Sequence, residues 1–167
     1  SKYFAGTKQA DISVGVTGIC SMAIDPDNNL WAISTSGMLI KVVNDVVSVS
    51  KQIGGTTASS RRMCFDGNSN LWISSKTENT LYELIISTMT VNTFTGHNNI
   101  DGIAYHTDGY ILAALDNDTD KCIERISLTN GAVASKISLS SRVSTLTVDL
   151  NNNIYAALTN GTTIARV

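Results

Sequence analysis

The sequence is short of charge and has no long apolar run. Only 16% of its 167 residues are charged, and the formal net charge is −2. Without a basic excess, the charge gives no indication of nucleic acid or an anionic membrane surface as a partner. No apolar run approaches the ~18 residues that a membrane-spanning helix needs, so we expect no membrane insertion. Ser, Thr and Asn fill the polar positions instead, a composition typical of extracellular and virion-surface β-proteins.

Residues that commonly carry chemistry are also few. The three cysteines, Cys20, Cys64 and Cys122, cannot all pair, and their spacing matches neither a zinc pattern nor a CxxC redox motif. We interpret them as small buried hydrophobic residues. The chain has two histidines, and it contains no nucleophile elbow and no phosphate-binding loop.

What the sequence does contain is an internal repeat. Two independent markers recur with a period of about 42 residues, which is the length of a four-stranded β-propeller blade. The first marker is a strand followed by a turn and an apolar pair, at Ile19–Leu30, Ser60–Leu71, Ile100–Ile111 and Val143–Ile154. The second marker is a short apolar strand that begins at Leu39, Leu81, Ile123 and Ile164.

Within each repeat, apolar residues alternate with small or polar ones, which is the period of a β-strand. No segment has a convincing helical period. The sequence therefore predicts an all-β propeller of four blades, each with four antiparallel strands. The approximate blades are 17–55, 58–96, 98–140 and 141–167, and residues 1–7 resemble the fourth strand of the first repeat. We expect that N-terminal strand to complete the last blade, because propellers avoid unpaired edge strands in this way.

Closure of the ring has two interpretations. A single chain forms a four-bladed ring, or the chain is an arc: half of an eight-bladed ring made by two chains, or a piece of a longer propeller. The inner-strand residues Ala23, Cys64, Ala104 and Thr147 are all small, which favours a crowded centre. The chain begins at Ser1 without a secretory signal, as expected of a processed chain or an excised domain.

Two segments, Ile19–Trp31 and Met63–Trp72, resemble the repeat of a group of related propellers. That group contains the NHL propellers, the sensor propellers of two-component regulators, the streptogramin lyases and the gluconolactonase-type propellers. The shared pattern is an apolar strand, Asp, a turn with Gly or Asn, and then Leu-Trp. The resemblance implies the blade architecture across the whole chain. These families usually have five to eight blades, so four repeats point toward a fragment or an assembly of chains.

The resemblance does not carry an activity onto this chain. The lyases use histidine and acidic residues on the face where the strand 4-to-1 and strand 2-to-3 loops gather, and only His97 is expected there. The gluconolactonase type holds a divalent metal with carboxylates at the channel, whereas the channel positions here are mostly small or basic.

On that loop face, three arginines are the main candidates for ligand binding. Arg61, Arg62 and Arg142 are expected near the axis, where they would hold a carboxylate, a sulfate or an acidic sugar. Alternatively, they pair with Asp101 and bind nothing. His97 with Asp101 forms an oriented base in one interpretation, and is a solvated loop histidine in the other.

One acidic loop is a candidate metal site. Asp116, Asp118 and Asp120 alternate along a loop, a pattern that a hard cation such as Ca²⁺ prefers. A solvated hairpin tip is the other interpretation, since the Gly and the distant Glu of an EF-hand loop are absent. No other cofactor is expected. On the opposite face, we interpret Asp25, Asp66, His106 and Asp149 as turn-forming residues.

The sequence favours a non-catalytic module that binds or assembles with a protein or a glycan. A propeller enzyme of the lyase or lactonase type is one alternative. A structural building block that closes its blades between chains is another, and the solution state is then a monomer or a homodimeric ring.

Overall fold

The structure is a computed structural model that describes residues 11–159 and 162–167, and all regular structure in them is β-strand. Blade 1 contains β1 (Ile19–Ile24), β2 (Leu30–Ser34), β3 (Met38–Val43) and β4 (Val46–Gln52). Blade 2 contains β5 (Arg61–Phe65), β6 (Leu71–Ser75), β7 (Thr80–Ile85) and β8 (Thr90–Thr95). Blade 3 contains β9 (Ile100–His106), β10 (Tyr110–Leu115), β11 (Cys122–Ser127) and β12 (Val133–Ser138), and blade 4 contains β13 (Val143–Val148), β14 (Ile154–Leu158) and β15 (Ile164–Arg166).

Each blade is an antiparallel meander in which consecutive strands are hydrogen-bonded neighbours. Blades 1 to 3 have four strands, and the described part of blade 4 has three. The prediction of a four-bladed, all-β propeller is confirmed. The predicted N-terminal strand over residues 1–7 lies outside the described residues. No helix long and apolar enough to cross a membrane occurs in the ranges that the structure describes.

The turn between the first two strands of a blade is held by an aspartate. In blade 1, Asp25 accepts hydrogen bonds from the backbone N–H groups of Asp27 and Asn29 on one carboxylate oxygen. Its other oxygen accepts a hydrogen bond from the indole of Trp31. A short carboxylate that caps its own backbone allows the chain to reverse direction, here with Asn28 at a positive φ of 64°.

The same capping recurs in the other blades. Asp66 accepts from two backbone N–H groups and from the Trp72 indole. Asp149 accepts from two backbone N–H groups and, at 3.4 Å, from the hydroxyl of Tyr155. In blade 3, His106 accepts from the Asp108 N–H. The prediction that these four residues form turns is confirmed.

Apolar side chains pack between adjacent blades. Alternate residues of a strand point to opposite sides of its sheet, so every blade has one face toward the preceding blade and one toward the next. Blade 1 contributes Trp31, Ile33 and Leu39 to its interface with blade 2, which contributes Met63 and Leu71 among others. Equivalent clusters join blade 2 to blade 3 and blade 3 to blade 4. Each fully buried side chain of this size contributes about 1.5–3 kcal/mol.

Blade 4 and blade 1 are not joined in this way within the described residues. The inner strands contact one another in the order β1, β5, β9 and β13. Among the described residues, no core cluster contains residues of both blade 1 and blade 4. The remaining cluster lies on the face of blade 1 that points away from blade 2. It contains Ala32, Ile40 and Val42, and Val14 and Val16 pack over it. The described residues therefore form an arc of four blades.

Candidate functional site

A chain of ion pairs crosses the loop face, which consists of residues 35–37, 53–60, 76–79, 96–99, 116–121 and 139–142 and of the strand ends beside them. Lys76 Nζ lies 3.0 Å from Asp101 Oδ2 and 2.7 Å from Asp116 Oδ2, so it bridges blades 2 and 3. Arg62 contacts Asp101 at 3.5 Å, and Arg142 of blade 4 contacts Asp116 at 3.7 Å. We call these five residues the ion-pair chain. It links three blades through three loop residues and two residues at the starts of inner strands, Arg62 and Asp101.

The geometry of the ion-pair chain holds its lysine in the charged state. Partial burial by itself would lower the pKa of Lys76, but hydrogen bonds to Asp116 and Asp101 outweigh that effect and raise the pKa. Each carboxylate is shared between two cations, and each cation is already paired. Asp118, 3.4 Å from Arg142, supplies a third carboxylate for the three cations. The first effect of the ion-pair chain is therefore to hold neighbouring blades together.

Arg61 is placed apart from the other two arginines. Its side chain is fully buried, and its Nη1 lies 3.2 Å from Glu78 Oε2. It also donates to the carbonyl oxygens of Gly55 and Thr35. A buried guanidinium needs these partners, since an unpaired charge in the interior is costly. Of the three predicted arginines, the structure brings Arg62 and Arg142 to the ends of one ion-pair chain and places Arg61 inside the protein.

His97 belongs to a different cluster from the predicted one. It is only 4% exposed, and its Nδ1 lies 3.5 Å from Glu124 Oε2. Glu124 is also paired with Lys136 at 3.1 Å. Burial would raise the pKa of Glu124, but hydrogen bonds from His97 and Lys136 outweigh it and lower the pKa. Asp101 is held in the ion-pair chain, so the predicted His97–Asp101 pair is not formed, and His97 is not the solvated loop residue of the other interpretation.

The acidic loop does not gather its carboxylates around one point. Asp116 lies in the ion-pair chain, Asp118 contacts Arg142 at 3.4 Å, and Asp120 lies 3.8 Å from Lys136. The Asp118 side chain is 86% exposed. Within residues 11–159 and 162–167, no group of three or more His, Cys, Asp or Glu side chains is arranged to hold a metal ion. The calcium site stays a prediction, and these contacts lend it no support.

The three cysteines are free thiols. Cys122 is buried, and Cys20 and Cys64 are half-buried. Burial, with a smaller effect of Asp66, raises the pKa of the Cys64 thiol well above its ordinary value. A neutral, partly buried thiol is a poor nucleophile and a poor metal ligand, which agrees with the interpretation of Cys64 as a small hydrophobic side chain.

The most unusual surfaces of the protein are at the two ends of the arc. In blades 1 to 3, the residue that opens the second repeat marker (Leu39, Leu81 or Ile123) faces the next blade and has no exposed surface. The equivalent residue of blade 4 is Ile164, which is 71% exposed. An isoleucine at this position is in contact with water only because no blade packs against it.

The opposite end of the arc shows the complementary feature. In blades 2 to 4, the inner-strand residues Met63, Ile103 and Leu146 face the preceding blade and are 7–8% exposed. The equivalent residue of blade 1 is Met22, which is 64% exposed, and its neighbour Ile24 is 56% exposed. We call the surface around Met22, Ile24 and Leu30 the blade 1 end face.

A shallow cavity of about 190 Å³ marks the face of blade 4. It is lined by Thr145, Leu146, Thr147, Tyr155, Ala157 and Ile164. We call the surface formed by Thr145, Thr147, Tyr155, Ala157 and Ile164 the blade 4 end face. None of these side chains is charged, and neither are those of the blade 1 end face; the guanidinium of Arg166 borders the blade 4 end face, 5.9 Å from the centre of the Tyr155 ring. Surfaces of this kind can be buried without removing a charge from water.

Sequence reasoning located the loop-face residues and missed both end faces. A signal for them was present, because Met22 and Ile164 occupy positions that are apolar in all four repeats. The sequence could not reveal that Met22 and Ile164, unlike the equivalent residues in the other repeats, have no blade packed against them. Burial at a repeated position depends on the neighbouring repeat, and the first and last repeats each lack one neighbour.

Comparison with known proteins identifies the fold of this chain but does not assign it to a family. No protein-family model matches the sequence, and no curated protein matches it. Solved structures do match. A selenomethionine-substituted virginiamycin B lyase from Staphylococcus aureus has a TM-score of 0.78 at 15% identity, over 90% of this chain and 52% of the lyase. The WD40 propeller domain of Doa1 has a TM-score of 0.73 at 15% identity, over 89% of this chain and 49% of that one.

A third match, unlike the first two, is about as long as this chain. The computationally designed Ika4 protein has a TM-score of 0.73 at 15% identity, over 96% of this chain and 98% of Ika4. The chain therefore spans about half the length of the lyase and Doa1 structures and nearly all of Ika4. At these identities the matches show the fold alone, and they support the resemblance to propeller repeats. A propeller of this kind is suited to binding or assembly.

Proposed function

We propose that this chain is a protein-assembly module, whose two end faces bind β-propeller blades. The observation that carries the proposal is the exposure of Ile164, at 71%, where Leu39, Leu81 and Ile123 are fully buried against the next blade. Inside the arc, the side of each blade that carries one of these three residues always packs against the next blade. Blade 4 repeats that face and leaves it open.

The energetics favour occupation of the end faces. Burying a side chain of the size of Ile164, Met22 or Ile24 contributes about 1.5–3 kcal/mol each. Large exposed apolar side chains with polar groups around them are characteristic of a protein-binding site. The neighbouring Thr145 and Thr147 carry hydroxyl groups, which a partner strand or water can satisfy.

The loop face gives less support to the other functions. An acidic glycan would compete with Asp101 and Asp116 for Arg62 and Arg142, because both arginines already have carboxylate partners. An enzyme of the lyase or lactonase type would need an accessible base or metal site. His97 is buried against Glu124, and His106 is buried at the opposite face, where its Nε2 contacts the carbonyl oxygen of Asn152. We therefore favour assembly over catalysis or glycan binding.

The test is a tandem protein in which two full copies of the sequence are joined head to tail. The first copy carries Ile164→Cys, so that this cysteine faces blade 1 of the second copy, and a matched protein carries Val46→Cys in the same copy, a position 66% exposed on the outer strand of blade 1. Alkylation rates are measured by mass spectrometry of the labelled peptides, which separates the new thiols from the native ones. The same two variants in a dilute single copy provide the reference rates.

If the end faces bind blades, the tandem protects the cysteine at position 164 by at least about tenfold relative to the dilute single copy. The cysteine at position 46 reacts at the same rate in both proteins. Equal rates at position 164 in the tandem and in the single copy would refute the proposed function, since the blade 4 end face would then not have bound a blade 1 end face offered at high effective concentration.

A further inference from the structure

We infer that the partner at both end faces is a second copy of this chain, and that two copies close one eight-bladed ring with two-fold symmetry. This inference rests on the proposed function. It adds the identity of the partner and the arrangement of the contact: the blade 4 end face of each copy packs against the blade 1 end face of the other.

The first argument is that the chain carries both halves of the missing interface. In each interface inside the arc, the following blade contributes one buried inner-strand residue: Met63, Ile103 or Leu146. The blade 4 end face has no following blade to contribute such a residue. Met22 is the fourth member of that set, and it is 64% exposed at the other end of the same chain. A second copy therefore presents the surface that the repeat normally places there.

The cavity on the blade 4 end face supports this pairing. Its volume of about 190 Å³ is sufficient for one large apolar side chain, and Thr147 and Ala157 provide small residues on its wall. The small residues equivalent to Thr147 in the first three blades are Ala23, Cys64 and Ala104. Each packs into a cluster shared with the following blade. In the ring, Met22 of one copy lies over the cavity of the other.

Symmetry and blade number lead to the same arrangement. A head-to-tail contact generates a closed ring if its rotation returns to the start, and an open filament if it does not. Two arcs of four blades make eight, which lies within the usual range of about 4–8 blades for a closed propeller. Closure buries all four end faces of the two copies, whereas a filament or an asymmetric dimer always leaves two of them in water.

The test is the solution mass of the full chain, by light scattering and native mass spectrometry across a wide concentration range. Two variants probe the two end faces separately: Met22→Asp and Ile164→Asp. Two controls introduce the same charge at exposed apolar positions outside both faces, Val46→Asp in blade 1 and Leu150→Asp in blade 4. All four positions are exposed in the single chain, so folding is checked by circular dichroism and is expected to be unchanged.

We expect a dimer with twice the 17.8 kDa mass of the chain. Met22→Asp and Ile164→Asp should each weaken the dimer by at least about 30-fold, the effect of losing a central contact, since either substitution puts an unpaired charge into both interfaces. Val46→Asp and Leu150→Asp should leave the dissociation constant within about threefold of the wild type.

Other outcomes would overturn the inference in different ways. Sensitivity to Ile164→Asp alone would mean that two blade 4 end faces meet each other, and sensitivity to Met22→Asp alone would mean that two blade 1 end faces do. A mass that grows beyond the dimer would indicate an open filament. A monomer at every concentration would exclude self-association, and the tandem protein would then decide separately whether the end faces bind blades at all.

Discussion

The indole N–H of Trp72 donates a 3.0 Å hydrogen bond to Oδ2 of Asp66, and Trp31 makes the same bond to Asp25. The bond joins the turn after the first strand to the start of the second strand. The carboxylate holds the turn with one oxygen and the core tryptophan with the other. Asp and Trp, six residues apart in the repeat, therefore act as one structural unit.

We expect Asp66→Ala to destabilise the fold by about 2–3 kcal/mol. The substitution removes the acceptor of two backbone N–H groups and leaves the buried Trp72 indole N–H without a partner. Urea unfolding followed by tryptophan fluorescence measures the loss. Asp149→Ala is the matched variant, and we expect a smaller effect because its turn is exposed and its bond to Tyr155 is 3.4 Å long. An equal loss at the two positions would contradict the role assigned to the indole.

Acid should destabilise the protein in part through Asp25. Burial would raise the pKa of this carboxyl, but hydrogen bonds from Asn29, Trp31 and Lys41 outweigh it and hold the pKa far below its usual range. Because the folded-state pKa is depressed, the stabilisation is complete above the unfolded-state pKa of about 3.9 and is lost as the pH falls below it.

The variant Asp25→Asn tests this linkage. We expect it to be less stable than the wild type at pH 7 and to lose less stability between about pH 5 and pH 2. Unfolding free energies measured across that range give the two slopes, and Asp27→Asn, at an exposed position of the same turn, provides the control. Parallel curves for the wild type and Asp25→Asn would show that this carboxylate has no part in the acid sensitivity.

Loss of Lys76 should weaken the contact between blades 2 and 3. Lys76→Met keeps the length of the side chain and leaves Asp101 and Asp116 without their shared cation, so we expect a loss of about 1–2 kcal/mol. The loss should shrink at high salt, because screening reduces the value of a partly exposed pair. Lys121→Met, at an exposed position in the next loop, is the control. A loss at position 121 as large as that at position 76 would argue against a role for the ion-pair chain.

Gly131 should not tolerate a side chain. It has a φ of +68°, and an added Cβ would clash with the ring of Phe94, which stacks on Trp72 at 5.5 Å. Gly109 has a φ of +87° and open space around it. Both Gly→Ala variants pay for backbone strain, but only Gly131→Ala also displaces Phe94, so we expect it to cost about 1–3 kcal/mol more. Thermal unfolding of the two variants measures the difference. Similar melting temperatures would mean that Phe94 moves aside without loss.

The blade pattern and the turn residues were predictable because both depend on local chemistry. Alternation along a strand and the capping of a turn by Asp25 or Asp66 involve residues close together in the chain. The partners of charged residues were harder to predict. Arg61 and Arg62 are neighbours in sequence, yet one is fully buried against Glu78 and the other lies on the loop face against Asp101. Adjacent residues of a strand face opposite ways, and their partners come from other parts of the chain.

The sequence by itself determined that this protein is a four-bladed propeller, because its repeat period and its turns recur in every blade. Only the tertiary structure decided which apolar residues remain in water. Met22 resembles Met63, and Ile164 resembles Ile123, in type and in place within the repeat. They differ in exposure because each lies on a side of its blade that shares no core cluster with another blade in the described chain. Packing between blades joins residues far apart in the chain, so no single repeat determines it.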